Sequence, residues 1–194
     1  LDNRYYAELK LSYNPQQVYL AQQELSDEQL TQFAGKLIVK PKLVKNHNNN
    51  QWEVLIQDSA SYISLLDNEG DLLWTDSLGE NIVTDIYQVD YYKNRKLQYL
   101  FATDTMLHII DRNGVEIEGY PVETGEVKNK DLFLIDYDKS RNYRFLTTDY
   151  GGNLYLRNKE GELLEGWDPL AINSEISDQV FHVRVRGNDR IVIL

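Results

Sequence analysis

The sequence predicts an all-β fold built from repeats of four short antiparallel strands, and three observations carry that expectation. Segments Trp52–Trp74, Leu97–Tyr120 and Tyr143–Trp167 align as copies of one unit. In each copy a strand-like run stops at an Asp, at Asp58, Asp104 and Asp149, with spacings of 46 and 45 residues. In each a second apolar run then reaches a glycine turn, at Gly70, Gly114 and Gly161, with spacings of 44 and 47 residues. A fixed period of this size means stacked or radially arranged units. Four short strands per ~40–50 residues is the arithmetic of a β-propeller blade. Residues 1–194 therefore read as a single propeller-type domain of about four blades, complete or a partial propeller. Its sections are a partial first repeat (1–36), repeats at 37–81, 82–128 and 129–176, and a truncated last repeat (177–194).

Each element follows from its pattern. Residues 5–12 and 17–25 alternate apolar and polar, the period of a half-buried strand, with the Asn14-Pro15 turn signal between them. Ser26 to Gln29, followed by Leu30 and Phe33, has the form of a capping box on one short helical turn. Residues 37–44 return to strand, with Pro41 marking an edge or bulge. The second copy predicts strands at Ile82–Val89, Leu97–Thr103, Met106–Asp111 and Val115–Glu118. The third predicts them at Leu132–Ile135, Tyr143–Thr148, Asn153–Arg157 and Leu163–Leu164. Asn113-Gly114 and Glu160-Gly161 supply the positive φ that tight hairpins need. Val180–Val185 reads as strand one of a further copy and Arg190–Leu194 as the start of its strand two. An unpaired RIVIL strand is an aggregation-prone edge, so the reading prefers a fragment of a larger propeller over a small closed ring. Leu1 in place of a start Met points to a processed or trimmed chain.

Composition narrows the function classes. The net charge of −11 argues against nucleic acid as a partner, because phosphate binding needs a basic face. No apolar run approaches the ~18 residues of a membrane-spanning helix. The absence of Cys removes disulfides, thiolate nucleophiles and Cys-based zinc sites together. The 14 Tyr suit half-buried strand faces, where the ring packs and the hydroxyl stays wet. Trp74, Tyr120 and Trp167 follow the glycine turns and are placed to wedge between blades.

The run DNEGDLLW, with Asp67, Gly70 and Trp74, resembles the quinoprotein-type propeller repeat. The runs DRNGVEIEGYPV (111–122) and RNKEGELLEGWDP (157–169) resemble the end of FG-GAP repeats, where a Gly turn leads into Gly-Trp-Pro. Segments such as LVKNHNNN and YYKNRKLQYLFATD are similar to large surface or periplasmic proteins typical of the Bacteroidetes. The resemblance covers about residues 37–194 and implies a periplasmic, cell-surface or secreted setting. FG-GAP repeats can hold Ca²⁺ in a D-x-D-x-D-G loop, which implies a candidate calcium loop at Asp136, Asp138 and Ser140. Its counterpart at Asp90–Asn94 keeps fewer oxygen ligands. Both loops carry a Lys that would repel the cation, and both lack the Gly.

Other chemistry finds little support in the residues. His47, His108 and His182 occupy different places in the repeat, so they read as structural rather than as a converging metal or base set. Lys36, Lys40, Lys42 and Lys45 read as the solvated face of a strand. No P-loop, nucleophile elbow or dinucleotide fingerprint is present. The expectation is a non-catalytic interaction scaffold without a cofactor, binding a protein or a surface polymer through exposed loop aromatics. The candidates are Tyr91, Tyr92, Tyr137 and Tyr150. The alternative is a carbohydrate-binding or hydrolytic propeller with polar residues at a central channel. Asp58, Asp104 and Asp149 recur at one place in each copy and could line it, or they could cap a repeat-specific turn.

Overall fold

The computed structural model describes residues 33, 35–172 and 180–193. The expected strands within 5–25, and all of the expected helical turn but Phe33, lie outside the described residues. All regular structure among the described residues is β, in three four-stranded antiparallel sheets and one two-stranded sheet.

Blade one comprises β1 (Lys42–Lys45), β2 (Trp52–Gln57), β3 (Tyr62–Leu66) and β4 (Leu72–Ser77), paired in that order. The first strand is shorter than the sequence predicts. Leu37 makes only an isolated bridge to Asp58, and β1 begins after Pro41, which has no N–H to give a ladder. Val44, Leu55, Ile63 and Leu65 form one buried face of this blade, and Ile56 and Leu66 are buried on the other.

Blade two comprises β5 (Tyr87–Val89), β6 (Gln98–Ala102), β7 (Met106–Ile110) and β8 (Val122–Glu123). Blade three comprises β9 (Asn129–Ile135), β10 (Arg144–Asp149), β11 (Asn153–Asn158) and β12 (Leu170–Ala171). Strand one of blade two is interrupted. The Thr84 hydroxyl accepts the Ala102 N–H, so a side chain replaces the backbone partner, and Ile82 bridges Thr103 farther along. The fourth strands also differ from expectation. Val115–Glu118 and Leu163–Leu164 contribute single bridges, Ile110 to Glu116 and Arg157 to Leu163. The ladder is completed farther on, by β8 and β12, after the cis peptides Tyr120-Pro121 and Asp168-Pro169.

The last hairpin comprises β13 (Val180–Val185) and β14 (Asn188–Ile193). Its turn is tighter than the sequence predicts. Arg186 and Gly187, at φ 51° and 83°, close it with two residues, so the second strand starts at Asn188.

The chain divides into two compact units. One contains blade one; the other contains Asn46–Asn50 and the chain from Glu80 onward. In the second unit the period of two along β9 and β10 feeds two cores. Leu132 and Phe145 enter a cluster with Val89, Leu100 and Leu107 of blade two. Ile135 and Leu146 enter another, against which Trp167, Val180 and Ile191 pack. Tyr120 acts as the expected wedge. Its ring is buried in the first cluster and its hydroxyl donates to the Lys159 carbonyl of blade three at 2.8 Å.

Candidate functional site

Two loops of equal form connect strands one and two of blades two and three, at 90–97 and 136–143. Each reverses the chain around an Asp. Asp90 accepts the N–H groups of Asn94 and Arg95, both at 2.9 Å. Asp136 accepts the N–H of Arg141 at 3.1 Å. Wrapping backbone around a carboxylate in so few residues forces left-handed conformations. They fall on Lys93 (φ 56°), Arg95 (φ 68°), Lys139 (φ 58°) and Arg141 (φ 62°), the same places in both copies. The loops are tied to each other. Arg141 Nη1 lies 2.8 Å from Asp90 Oδ2, the Asp90 N–H donates to the Tyr143 hydroxyl at 3.1 Å, and Lys93 Nζ donates to Asn142 at 2.7 Å.

The candidate tyrosines separate into two groups. Tyr91 is half-buried, edge-to-face with Tyr92 at 5.0 Å and with Tyr120 at 6.2 Å, and the Lys159 ammonium sits 4.5 Å from its ring centre. Burial pushes the Tyr91 phenol up, with smaller contributions from Glu160 and its neighbours. Tyr137 is half-buried against the His182 ring at 4.6 Å, and burial raises its phenol too. Tyr92 stands 50% exposed at the tip of its loop. Tyr150, 69% exposed, lies in the β10–β11 turn, at the opposite end of its blade from Tyr137.

The recurrent aspartates are engaged in turns. Asp58 accepts the N–H groups of Gly35, Ala60 and Tyr62. Asp149 accepts those of Gly151 and Asn153, the Asn153 amide and the Tyr155 hydroxyl. Asp104 instead pairs with Lys128, and its backbone carbonyl accepts the Asn129 N–H. Burial pushes the Asp149 carboxyl up, but hydrogen bonds from Asn153, Tyr155 and Gly151 outweigh it and hold it below the usual carboxylate range. A folded value below the unfolded one gives stability that is fully present above the unfolded value and lost as pH falls through the folded one. The urea midpoint of the wild-type chain is therefore expected to drop below about pH 4. The Asp149→Asn variant should show a flatter acid limb.

A second recurrent series closes the outer hairpins. Asp67 accepts the N–H groups of Glu69 and Asp71, Asp111 those of Asn113 and Val115, and Asn158 those of Glu160 and Glu162. Asp67, Glu69 and Asp71 bring carboxylate oxygens within 4.8 Å of one another. The third copy does the same work with Asn158, so the position calls for a side-chain acceptor and not for charge. At the candidate calcium loop the donor set fits a hard cation poorly. Both Asp136 oxygens face the Arg141 N–H, Asp138 accepts the Ser140 N–H, and Lys139 and Arg141 share the loop. The histidines are separately engaged: His47 accepts the Leu97 N–H, His108 pairs with Glu116 at 2.5 Å, and His182 with Asp189 at 2.9 Å.

In the sequence Lys93 and Lys139 stand out only as obstacles to a cation. The repeated K-x-R at 93–95 and 139–141 was the available signal for a cationic rim.

No protein-family model matches this chain, and no curated protein does. Similar folds occur among solved structures. BBS1N in complex with ARL6DN, soaked with mercury, aligns with a TM-score of 0.60 at 9% identity over 82% of this chain and 52% of that one. A lead-soaked crystal of the same complex gives 0.55 at 9% identity, over 79% and 46%. The Pan2 WD40 domain of Neurospora crassa gives 0.47 at 13% identity, over 71% and 39%. The chain thus spans about half the length of the first of these. At such identities the likeness concerns the fold alone: four-stranded antiparallel sheets of β-propeller type.

Proposed function

We propose that this chain is a non-catalytic propeller-type scaffold that binds a protein partner through the rim formed by loops 90–97 and 136–143. The observation that carries the reading is the construction of that rim. Two copies of one loop are braced by Asp90, Arg141 and Tyr143, yet present Tyr92 and several cations outward. Rigid loops lose little conformational entropy on binding, and an exposed tyrosine supplies contact area at low cost. That the similar BBS1N was crystallised with another protein is consistent with a protein partner. An extracytoplasmic bacterial setting belongs to the same proposal, supported by the resemblance of LVKNHNNN and YYKNRKLQYLFATD to large surface or periplasmic proteins. The scaffold needs no cofactor.

The test is recovery of partners on immobilised chain. Tyr92→Ala is expected to strip the bound proteins by about tenfold or more, as truncation of an aromatic hot spot does. Tyr150→Ala, on the other end of the blade, should leave recovery unchanged. Both variants should keep the wild-type melting temperature. Equal recovery by Tyr92→Ala and wild type would sink the rim as the binding face.

A further inference from the structure

Resting on the scaffold reading, we infer that this rim receives a short carboxylate-rich segment of the partner. The chain carries a net charge of −11, yet Lys93, Arg95, Lys96, Lys139 and Arg141 are gathered on two adjoining loops. The loops' own capping anions are turned inward, since Asp90 and Asp136 accept the N–H groups of the residues that wrap them. Asp138 is the exposed exception, and it accepts the Ser140 N–H. Arg95, Lys96 and Lys139 are exposed, and their side chains form no ion pair among the described residues.

The backbone adds an independent argument. Gly or Asn adopts left-handed φ cheaply, whereas Lys and Arg do so at a cost. Four cations nonetheless occupy such positions, at φ 56°, 68°, 58° and 62°. Strain kept at the same places in two copies fits side chains that are used. Tyr92 beside them offers an apolar ring for a residue flanking the carboxylates.

The distribution of charge selects the ligand. Beyond a Debye length of about 8 Å at physiological salt each attraction fades. A long polyanion would gain at this rim and meet repulsion over the rest of an acidic surface. A short acidic stretch of a folded or flexible protein gains the first and avoids the second.

The experiment is fluorescence anisotropy with a short alternating Asp-Glu peptide labelled with fluorescein, at low and physiological salt. The wild-type chain is expected to bind it with an affinity that falls as salt rises. The triple variant Arg95→Ser, Lys96→Ser, Lys139→Ser should bind at least about tenfold more weakly. The charge-matched variant Lys36→Ser, Lys40→Ser, Lys42→Ser should stay within about twofold of wild type. Equal losses in the two variants, or no binding by wild type, overturn the inference. Tighter binding of a sulfated oligosaccharide of equal charge, lost in the same variant, would assign the rim to a polymer instead. If the peptide fails while Tyr92→Ala still strips partners, the scaffold stands and the acidic ligand falls.

Discussion

Replacing Phe145 by Ala is expected to lower unfolding stability by about 3–5 kcal/mol. The side chain is fully buried near the start of β10 and belongs to the cluster that also holds Val89, Leu100 and Leu107 of blade two. Its removal costs transfer free energy and leaves a cavity that two sheets, each held by its own ladder, cannot collapse to fill. Because the cluster is shared, blades two and three should lose stability together, as one urea transition with an unchanged slope. Val192→Ala, at an exposed place on β14, should stay within about 1 kcal/mol of wild type. A loss below about 1 kcal/mol for Phe145→Ala would mean that the two blades do not share a core.

Asp149→Ala should cost about 2–3 kcal/mol, against under 1 kcal/mol for Asp104→Ala. The two residues sit at the same place in successive copies and differ in what they hold. Asp149 is buried and accepts from Gly151, Asn153 and Tyr155, with the Gly151 N–H at 2.7 Å. Removing it leaves two backbone donors, an amide and a phenol to find other partners in a tight turn. The Asp104 carboxylate is matched with the exposed ammonium of Lys128, which salt and side-chain entropy make worth little. Denaturation of the two single variants measures the difference directly. An Asp149→Ala chain as stable as wild type, but altered in ligand binding, would return this aspartate series to the role of a site.

The strands that the sequence made legible are those with a clean alternation of apolar and polar residues. Asn153 to Arg157 appears where the pattern puts it, because Leu154 and Leu156 at alternate places face a core. Val180 to Val185 also appears where its alternation puts it, paired along its whole length with β14, although most of its residues are exposed. The fourth strands were misplaced because Val115 and Leu163 are exposed, so no core enforces their register. Strand one of blade two was read as continuous because a hydroxyl standing in for a carbonyl, as at Thr84, leaves no mark on periodicity. The turn aspartates were recognisable by recurrence, and the alternatives of cap and site both followed from that recurrence alone. Only the donors around Asp58 and Asp149 reveal what each carboxylate touches. The adjacency of loops 90–97 and 136–143 depends on contacts across 51 residues of sequence, from Asp90 to Arg141, beyond the reach of any local pattern.

The joint between blades two and three has a direction. Tyr120 reaches forward to the Lys159 carbonyl, Arg157 reaches back to the Thr124 carbonyl at 3.1 Å, and Gly161 sits so close to Val122 that a Cβ there would meet it at 2.6 Å. Half of this clasp belongs to each copy. A blade set beside a different neighbour would therefore need a matching end from it. The contacts from 120–124 to 157–161 straddle the boundary between copies, so the sequence period and the packing unit are out of phase.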